Sequence, residues 1–200
     1  MRLLLTSTGL SNPELKRFFV SRFDRLDDKT ASIVTAGRSQ EERKYIDESI
    51  CEMTDLGIEV IELDVSDTDR FENIRSTDIY YVCGGNTYFI MDRMRKTGID
   101  TMLIEAVRNG KFYIGVSAGS IIAGPDIDIA RLGDENDVGL HDMSGLGLAD
   151  CVISPHFSES ERKALESFES EHQSEHIIAI SDDEAVFVED GKMTMIYGTL

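Results

Sequence analysis

Short apolar runs alternate along the chain with longer stretches in which apolar residues recur every third or fourth position. The runs at Leu3-Leu4-Leu5, Ala31-Ser32-Ile33-Val34, Ile58 to Asp64, Ile79-Tyr80-Tyr81-Val82-Cys83 and Lys111-Phe112-Tyr113-Ile114 predict strands, the unbroken ones buried on both faces. The intervening stretches predict helices. Leu15, Phe18, Phe19 and Phe23 follow Asn12-Pro13, a cap followed by a proline suited to a first turn. Ser39 to Leu56 carries Tyr45, Ile46, Ile50, Met53 and Leu56 on one face. A short helix is expected over Asp67 to Ile74, and two more over Thr87 to Arg95 and Thr101 to Arg108, separated by Gly98. Strands and helices alternating at this spacing imply a three-layer α/β sandwich with a mostly parallel sheet. Ligands in such sheets bind beyond the carboxyl ends of the strands.

The rhythm loosens after residue 125. Asp126 to Gly147 is acidic and glycine-rich, and reads as a long loop or hairpin flanking the ligand-binding face. Cys151-Val152-Ile153-Ser154 and Ile177 to Ile180 predict further strands, with a polar helix from about Ser158 to His172 between them. Ala185-Val186-Phe187-Val188 and Met193 to Tyr197 form a hairpin that turns at Asp190-Gly191. Both halves read as parts of one sheet, and residues 1–200 as a single domain, a length ordinary for one.

Composition narrows the partners. The net charge is -18, which argues against nucleic acid and anionic membrane surfaces, since both are bound by Lys and Arg clusters. No run approaches the roughly 20 apolar residues of a membrane span, and the amino terminus lacks the pattern of a secretory signal. Cys51, Cys83 and Cys151 are odd in number and widely separated, which fits a reducing cytoplasm rather than a disulfide framework or a structural zinc site. Helix faces show no surplus apolar stripe, and a monomer or a homodimer is expected.

The chemistry centres on Gly115-Val116-Ser117-Ala118-Gly119, the Gly-x-Ser-x-Gly pattern in which a strand ends at a nucleophilic serine and a helix begins beneath it. A serine hydroxyl needs a base to take its proton. His156 is the candidate, since Pro155-His156-Phe157 closes a strand and would bring the imidazole to the same sheet edge. A carboxylate to hold the imidazole could come from Asp182, Asp183 or Glu184 after a late strand, or from Asp134, Glu135 or Asp137 in the acidic loop. Gly84-Gly85 at a strand end can offer bare N–H groups, so the Gly85 and Ala118 amides are candidates for an oxyanion hole. Asn86 or Thr87 can cap the next helix, and Asn86 also stands where it could touch substrate. His172-Gln173-Ser174-Glu175-His176 matches an inverted zinc-peptidase pattern, but an apolar strand starts directly after His176 and no third ligand is placed. A solvated helix end is the simpler reading, and no cofactor or metal is expected. Cys83, beside Gly84, reads as core.

Taken together, Val82-Cys83-Gly84-Gly85-Asn86-Thr87-Tyr88, Tyr113-Ile114-Gly115-Val116-Ser117-Ala118-Gly119 and Pro155-His156-Phe157 resemble the peptidase E family of serine peptidases, which includes aspartyl dipeptidase and, more distantly, cyanophycinase. The resemblance spans essentially the whole chain. It implies a fold like that of the class I glutamine amidotransferases, with Ser117 as nucleophile, His156 as base, Glu184 as acid, and Gly85 and Ala118 as oxyanion donors. It implies a serine exopeptidase or dipeptidase acting on short peptides. The family arginine that holds an N-terminal aspartate aligns here with Glu161, leaving Arg162, one helical position on, as the substrate-binding candidate. An amidase or esterase on the same scaffold, and a non-catalytic binding protein that kept the fold, are the alternative readings.

Overall fold

The computed structural model describes residues 1–37, 39–66, 76–172 and 176–198. The helix expected over Asp67 to Ile74 lies outside them. A seven-stranded sheet runs through the centre, formed by β1 (Arg2–Thr6), β2 (Thr30–Thr35), β3 (Glu59–Asp64), β4 (Ile79–Val82), β5 (Phe112–Val116), β8 (Glu184–Glu189) and β9 (Lys192–Tyr197). Their order is β3-β2-β4-β5-β1-β8-β9. The first five strands in this order pair in parallel, while β8 and β9 add an antiparallel edge.

The unbroken apolar runs occupy the middle of the sheet, because strands there are covered on both faces. All four residues of β4 are buried, as are Leu3, Leu4 and Leu5 of β1. Alternate residues then feed two cores. Leu4, Ile114 and Tyr81 pack with Leu15 and Phe19 of α1 (Pro13–Val20) and with Ile46 and Met53 of α2 (Gln40–Thr54). Leu3, Leu5 and Tyr113 face α3 (Thr87–Thr97), α4 (Ile99–Arg108) and α5 (Ala118–Ile122), through Met91, Met94, Leu103, Val107 and Ile121. The result is the expected α/β sandwich, helices on each face of a mostly parallel sheet.

Local chemistry sets the helix ends. Asn12 Oδ1 accepts the Glu14 N–H at 2.9 Å, with Pro13 in the first turn. Ser39 and Glu42 form a reciprocal capping box at the start of α2. Gly98, at φ 79°, ends α3 in the left-handed conformation that favours glycine.

One expectation is corrected. The strands around His156 do not join the main sheet: β6 (Val152–Ser154) and β7 (Ile177–Ala179) form a separate parallel pair. The main sheet closes its β1 edge with β8 instead, leaving β6 and β7 to pair with each other. The acidic stretch 126–147 is a loop, as expected, tied by an isolated bridge between Asp126 and Ser144 and containing one 3-10 turn, Asp128–Leu132. The polar helix α6 spans Arg162–Glu171, shorter than expected because residues 158–161 form a preceding turn.

Candidate active site

Register places the site. Strands β4, β5 and β1 are neighbours, with Val82 opposite Gly115 and Thr6 opposite Val116. Their carboxyl ends therefore emit Cys83-Gly84-Gly85, Ser117 and Ser7-Thr8 side by side. At the end of β5 the chain reverses at Ser117, which has φ 50° and ψ -111°. That backbone is strained for a residue with a side chain. It is held by the Ser117 N–H donating to the Thr6 carbonyl at 2.9 Å and by the Ser117 carbonyl accepting from Ser120 at 2.9 Å. The flanking glycines are steric requirements. A Cβ on Gly119 would lie 2.2 Å from the Val82 carbonyl oxygen, and one on Gly115 would lie 2.7 Å from the Gly119 oxygen. Buried Ser120 fastens the turn from below, accepting from the Thr6 N–H at 2.9 Å and donating toward the Thr6 and Gly115 carbonyls at 2.7 and 2.8 Å.

The β6–β7 pair carries the other half. Ser154 lies opposite Ala179, so the segments leaving the two strands run together. His156 follows β6 and Asp182 follows β7. The His156 Nε2 atom is 2.9 Å from Ser117 Oγ, and its Nδ1 atom is 2.7 Å from Asp182 Oδ1. His156 itself has φ 57°, a second strained residue at the site. Its N–H donates to Ser7 Oγ at 3.0 Å, and the Ser7 hydroxyl in turn faces the Ile180 and Ser181 carbonyls at 3.2 and 3.1 Å. Thr8 Oγ1 donates to the Asp182 carbonyl at 3.0 Å. Ser7 and Thr8 thus tie the end of β1 to His156 and to the segment that carries Asp182. Sequence reading passed over them, although two hydroxyl residues directly after a buried strand, at its carboxyl end, were a usable signal.

The structure departs from the expectation for the acid. Glu184 is the first residue of β8, and its Oε2 atom accepts the Ser181 N–H at 2.9 Å. It caps the turn that presents Asp182, and Asp182 is the carboxylate on the imidazole. Asp183 accepts from Asn12 Nδ2 at 2.8 Å. In the acidic loop, Asp134 Oδ2 accepts the Thr87 N–H at 2.8 Å, and the Glu135 carbonyl accepts from Asn86 Nδ2 at 2.8 Å. Asn86 also takes the Phe89 N–H on Oδ1, so its amide is engaged as a helix cap and loop tie and does not line the cavities beside Ser117. Arg162 does not line them either. Its guanidinium is paired with Glu159 at 2.6 and 2.8 Å and lies over the Phe157 ring.

Two cavities meet at Gly85, Ser117 and His156. The smaller, about 270 Å³, lies under the acidic loop and the start of α6. The larger, about 550 Å³, is bounded by α2 and the β1 end, with Glu48, Glu52 and Tyr81 in its wall. Burial pushes the Glu52 carboxyl up despite hydrogen bonds from Leu10 N–H and Tyr81 O–H. Burial likewise pushes the Cys83 thiol up to about 12, as befits a core residue rather than a nucleophile. His172 stacks on Phe168 and faces Asp128 at 3.3 Å through Nε2. Residues 173–175 of the zinc-like pattern lie outside the described residues.

A serine on a strained strand-to-helix turn, bridged by histidine to a carboxylate at the carboxyl edge of a parallel sheet, defines a class, the α/β proteins built around an elbow serine. The chain belongs to peptidase family S51, whose profile matches residues 3–196. It is 32% identical over 197 residues to an uncharacterized peptidase of Listeria monocytogenes, covering 93% of each chain. It is 33% identical over 126 residues to the peptidase E of Salmonella arizonae, covering 62% of this chain and 52% of that one. The crystal structure of a putative peptidase E protein from Listeria monocytogenes superposes with a TM-score of 0.85 at 27% identity, covering 99% of this chain and 98% of the other. A peptidase from an acI-B1 actinobacterium shares the fold, with a TM-score of 0.71 at 17% identity, over 98% of this chain and 87% of that one. The protein is a peptidase of this family. Among the described residues, no helix is long and apolar enough to cross a membrane.

Proposed function

We propose that this peptidase is a serine exopeptidase that hydrolyses dipeptides or short peptides through an acyl-enzyme on Ser117, with residues 1–200 acting as one catalytic unit. The observation that supports the reading most is His156 standing between Ser117 Oγ at 2.9 Å and Asp182 Oδ1 at 2.7 Å. In the tautomer that fits, Nδ1–H donates to Asp182 and Nε2 accepts the serine O–H. The proton of Ser117 moves to Nε2 as Oγ attacks the scissile carbonyl carbon. Negative charge gathers on the carbonyl oxygen, and the N–H groups of Gly85 and Ala118 receive it. Ala118 is the first residue of α5, so its N–H has no acceptor within the helix. Gly85, at φ 141°, turns bare backbone to both cavities. The tetrahedral adduct collapses, and His156 gives its proton to the departing amine. Water, deprotonated by the same imidazole, then attacks the ester and releases the acid with Ser117 restored.

Asp182 is assigned the role of orienting the imidazole and stabilising imidazolium. Its side chain is 61% exposed and that of His156 is 46% exposed. A hydrogen-bonded pair so open to water adds little to stability, which fits a pair kept for orientation. Three free cysteines, of which Cys83 and Cys151 are buried, agree with a reducing, cytoplasmic setting.

The test is a serine-directed fluorophosphonate followed by peptide mapping, run beside a panel of dipeptides, esters and simple amides. The expected result is a single adduct on Ser117 and turnover of dipeptides. Turnover of esters or simple amides alone would reassign the enzyme to that class, and no adduct with no turnover would make it a binding protein.

A further inference from the structure

The smaller cavity beside Ser117 has a wall of apolar side chains, Ile121, Ile129 and Leu165, and two carboxylates, Asp134 and Glu161. Among the described residues, neither cavity at the serine has a Lys or Arg in its lining, while the larger adds Glu42, Glu48, Glu52 and Asp182. An independent feature marks the smaller one as a place built for a polar ligand atom. Thr87 borders it and is wholly buried, and its Oγ1 atom has no hydrogen-bond partner among the described residues. A buried hydroxyl left unpaired is unfavourable unless something satisfies it. Its own N–H is already bound to Asp134 Oδ2 at 2.8 Å, so the orphaned oxygen and that carboxylate share one backbone position. On the other side, Glu161 Oε2 accepts from Ser158 N–H at 2.8 Å and from its hydroxyl at 3.0 Å. Those two donors are neutral, and they fix the carboxylate without cancelling its charge. On α6, Arg162 is held by Glu159, and neither it nor Lys163 lines the cavity.

We propose that this cavity selects a cationic side chain, that of lysine or arginine, on the residue beside the scissile bond. The proposal rests on the peptidase reading of Ser117 above. An aliphatic stem suits Ile121, Ile129 and Leu165, and the charged head suits Asp134 and Glu161, an arrangement long basic side chains favour. The ammonium or guanidinium N–H groups donate to the carboxylates and to Thr87 Oγ1, satisfying the orphaned oxygen. An aspartate side chain in the same place meets two like charges and, among the described lining residues, no cation, and is rejected. The negative field of a chain with net charge -18 draws basic peptides in and repels acidic ones.

The test separates binding from turnover. The Ser117→Ala protein is titrated calorimetrically with Lys-Ala, Arg-Ala, Ala-Lys, Leu-Ala and Asp-Ala, all of which share a free α-ammonium group. The wild type is assayed on the same set. Expected is binding of a Lys or Arg dipeptide at least about tenfold tighter than of Leu-Ala, with Asp-Ala weakest and the same ranking in kcat/KM. Glu161→Gln and Asp134→Asn keep their hydrogen-bond acceptors and so their local folds. Each is expected to reduce that preference severalfold, read as the ratio of Lys-Ala or Arg-Ala affinity to Leu-Ala affinity in the same variant. Hydrolysis of dipeptides with equal or greater preference for Asp-Ala or Leu-Ala overturns the inference and leaves the peptidase reading intact. A preference for basic residues that both variants leave untouched overturns the assignment to this cavity. Failure of every dipeptide both to bind and to turn over overturns the two readings together.

Discussion

Asp182 Oδ1 lies 2.7 Å from His156 Nδ1, while Glu184, two residues further on, turns its carboxylate to the Ser181 N–H at 2.9 Å. The division follows from chain direction. Asp182 is still in the turn that leaves β7 beside β6, whereas Glu184 has entered β8, where it pairs with Tyr197. Asp182→Asn is expected to lower kcat by about 10³- to 10⁴-fold, because the amide favours the wrong imidazole tautomer. Glu184→Gln keeps an oxygen acceptor for Ser181 and should leave kcat within about threefold, with at most about 1 kcal/mol lost from stability. Steady-state assays of the two variants decide between the carboxylates, and the reverse pattern would return the role to Glu184.

Ser7 is a positioning residue for the imidazole. It receives the His156 N–H and is itself anchored between two carbonyls of the segment that presents Asp182. Ser7→Ala should reduce kcat by about 10- to 100-fold through misplacement of the base, with KM little changed. Ser7→Thr, which keeps the hydroxyl, should restore much of the loss. A fall in melting temperature with kcat preserved would mean that Ser7 serves the fold alone.

Glu52 makes stability depend on pH. Burial raises its carboxyl above the unfolded value, so the folded state holds the proton more tightly. The associated stability is complete below the unfolded value and is lost as pH rises through the raised folded value. Glu52→Gln keeps an acceptor for Leu10 and Tyr81 and removes the buried charge. It should melt higher than the wild type near neutral pH, and the gain should vanish toward about pH 4. Thermal denaturation across that range tests the sign. A variant less stable at every pH would show that Glu52 is better ionised than protonated in its site.

The cysteines offer a test of which residue reacts. Cys51 is exposed, whereas burial pushes Cys83 up to about 12 and Cys151 up to about 11. At about pH 8, iodoacetamide should modify Cys51 in the native protein with peptidase activity retained, and reach Cys83 and Cys151 only on unfolding. Alkylation of Cys83 as fast as Cys51 in the native protein would contradict its burial and its raised thiol.

Much of this was legible in the sequence, and the gaps have physical causes. Leu3-Leu4-Leu5 and Ile79 to Val82 announced buried parallel strands because nothing polar interrupts them. Asn12, Ser39 and Gly98 announced helix ends through local hydrogen bonding and backbone freedom. Ser117 and His156 could be named because their neighbours, Gly115, Gly119 and Pro155, constrain the chain within a few residues. The acid could not be settled that way. Asp182, Asp183 and Glu184 are chemically close and adjacent, and only the strand pairing distant in sequence decides which one turns toward His156. The placing of β6 and β7 in a sheet of their own was hidden for the same reason, since an apolar run does not reveal its partner. Arg162 is a different case. The family resemblance made it a candidate for substrate, and in the structure its guanidinium is paired with Glu159, a turn earlier.

The most direct measurement is dipeptide turnover by Ser117→Ala beside the wild type, with both proteins shown to melt at the same temperature. The expected result is a loss in kcat of at least about 10³-fold without loss of folding, because the attacking oxygen is gone while the site that binds substrate remains. Turnover at the wild-type rate in the folded variant would contradict the account at its centre.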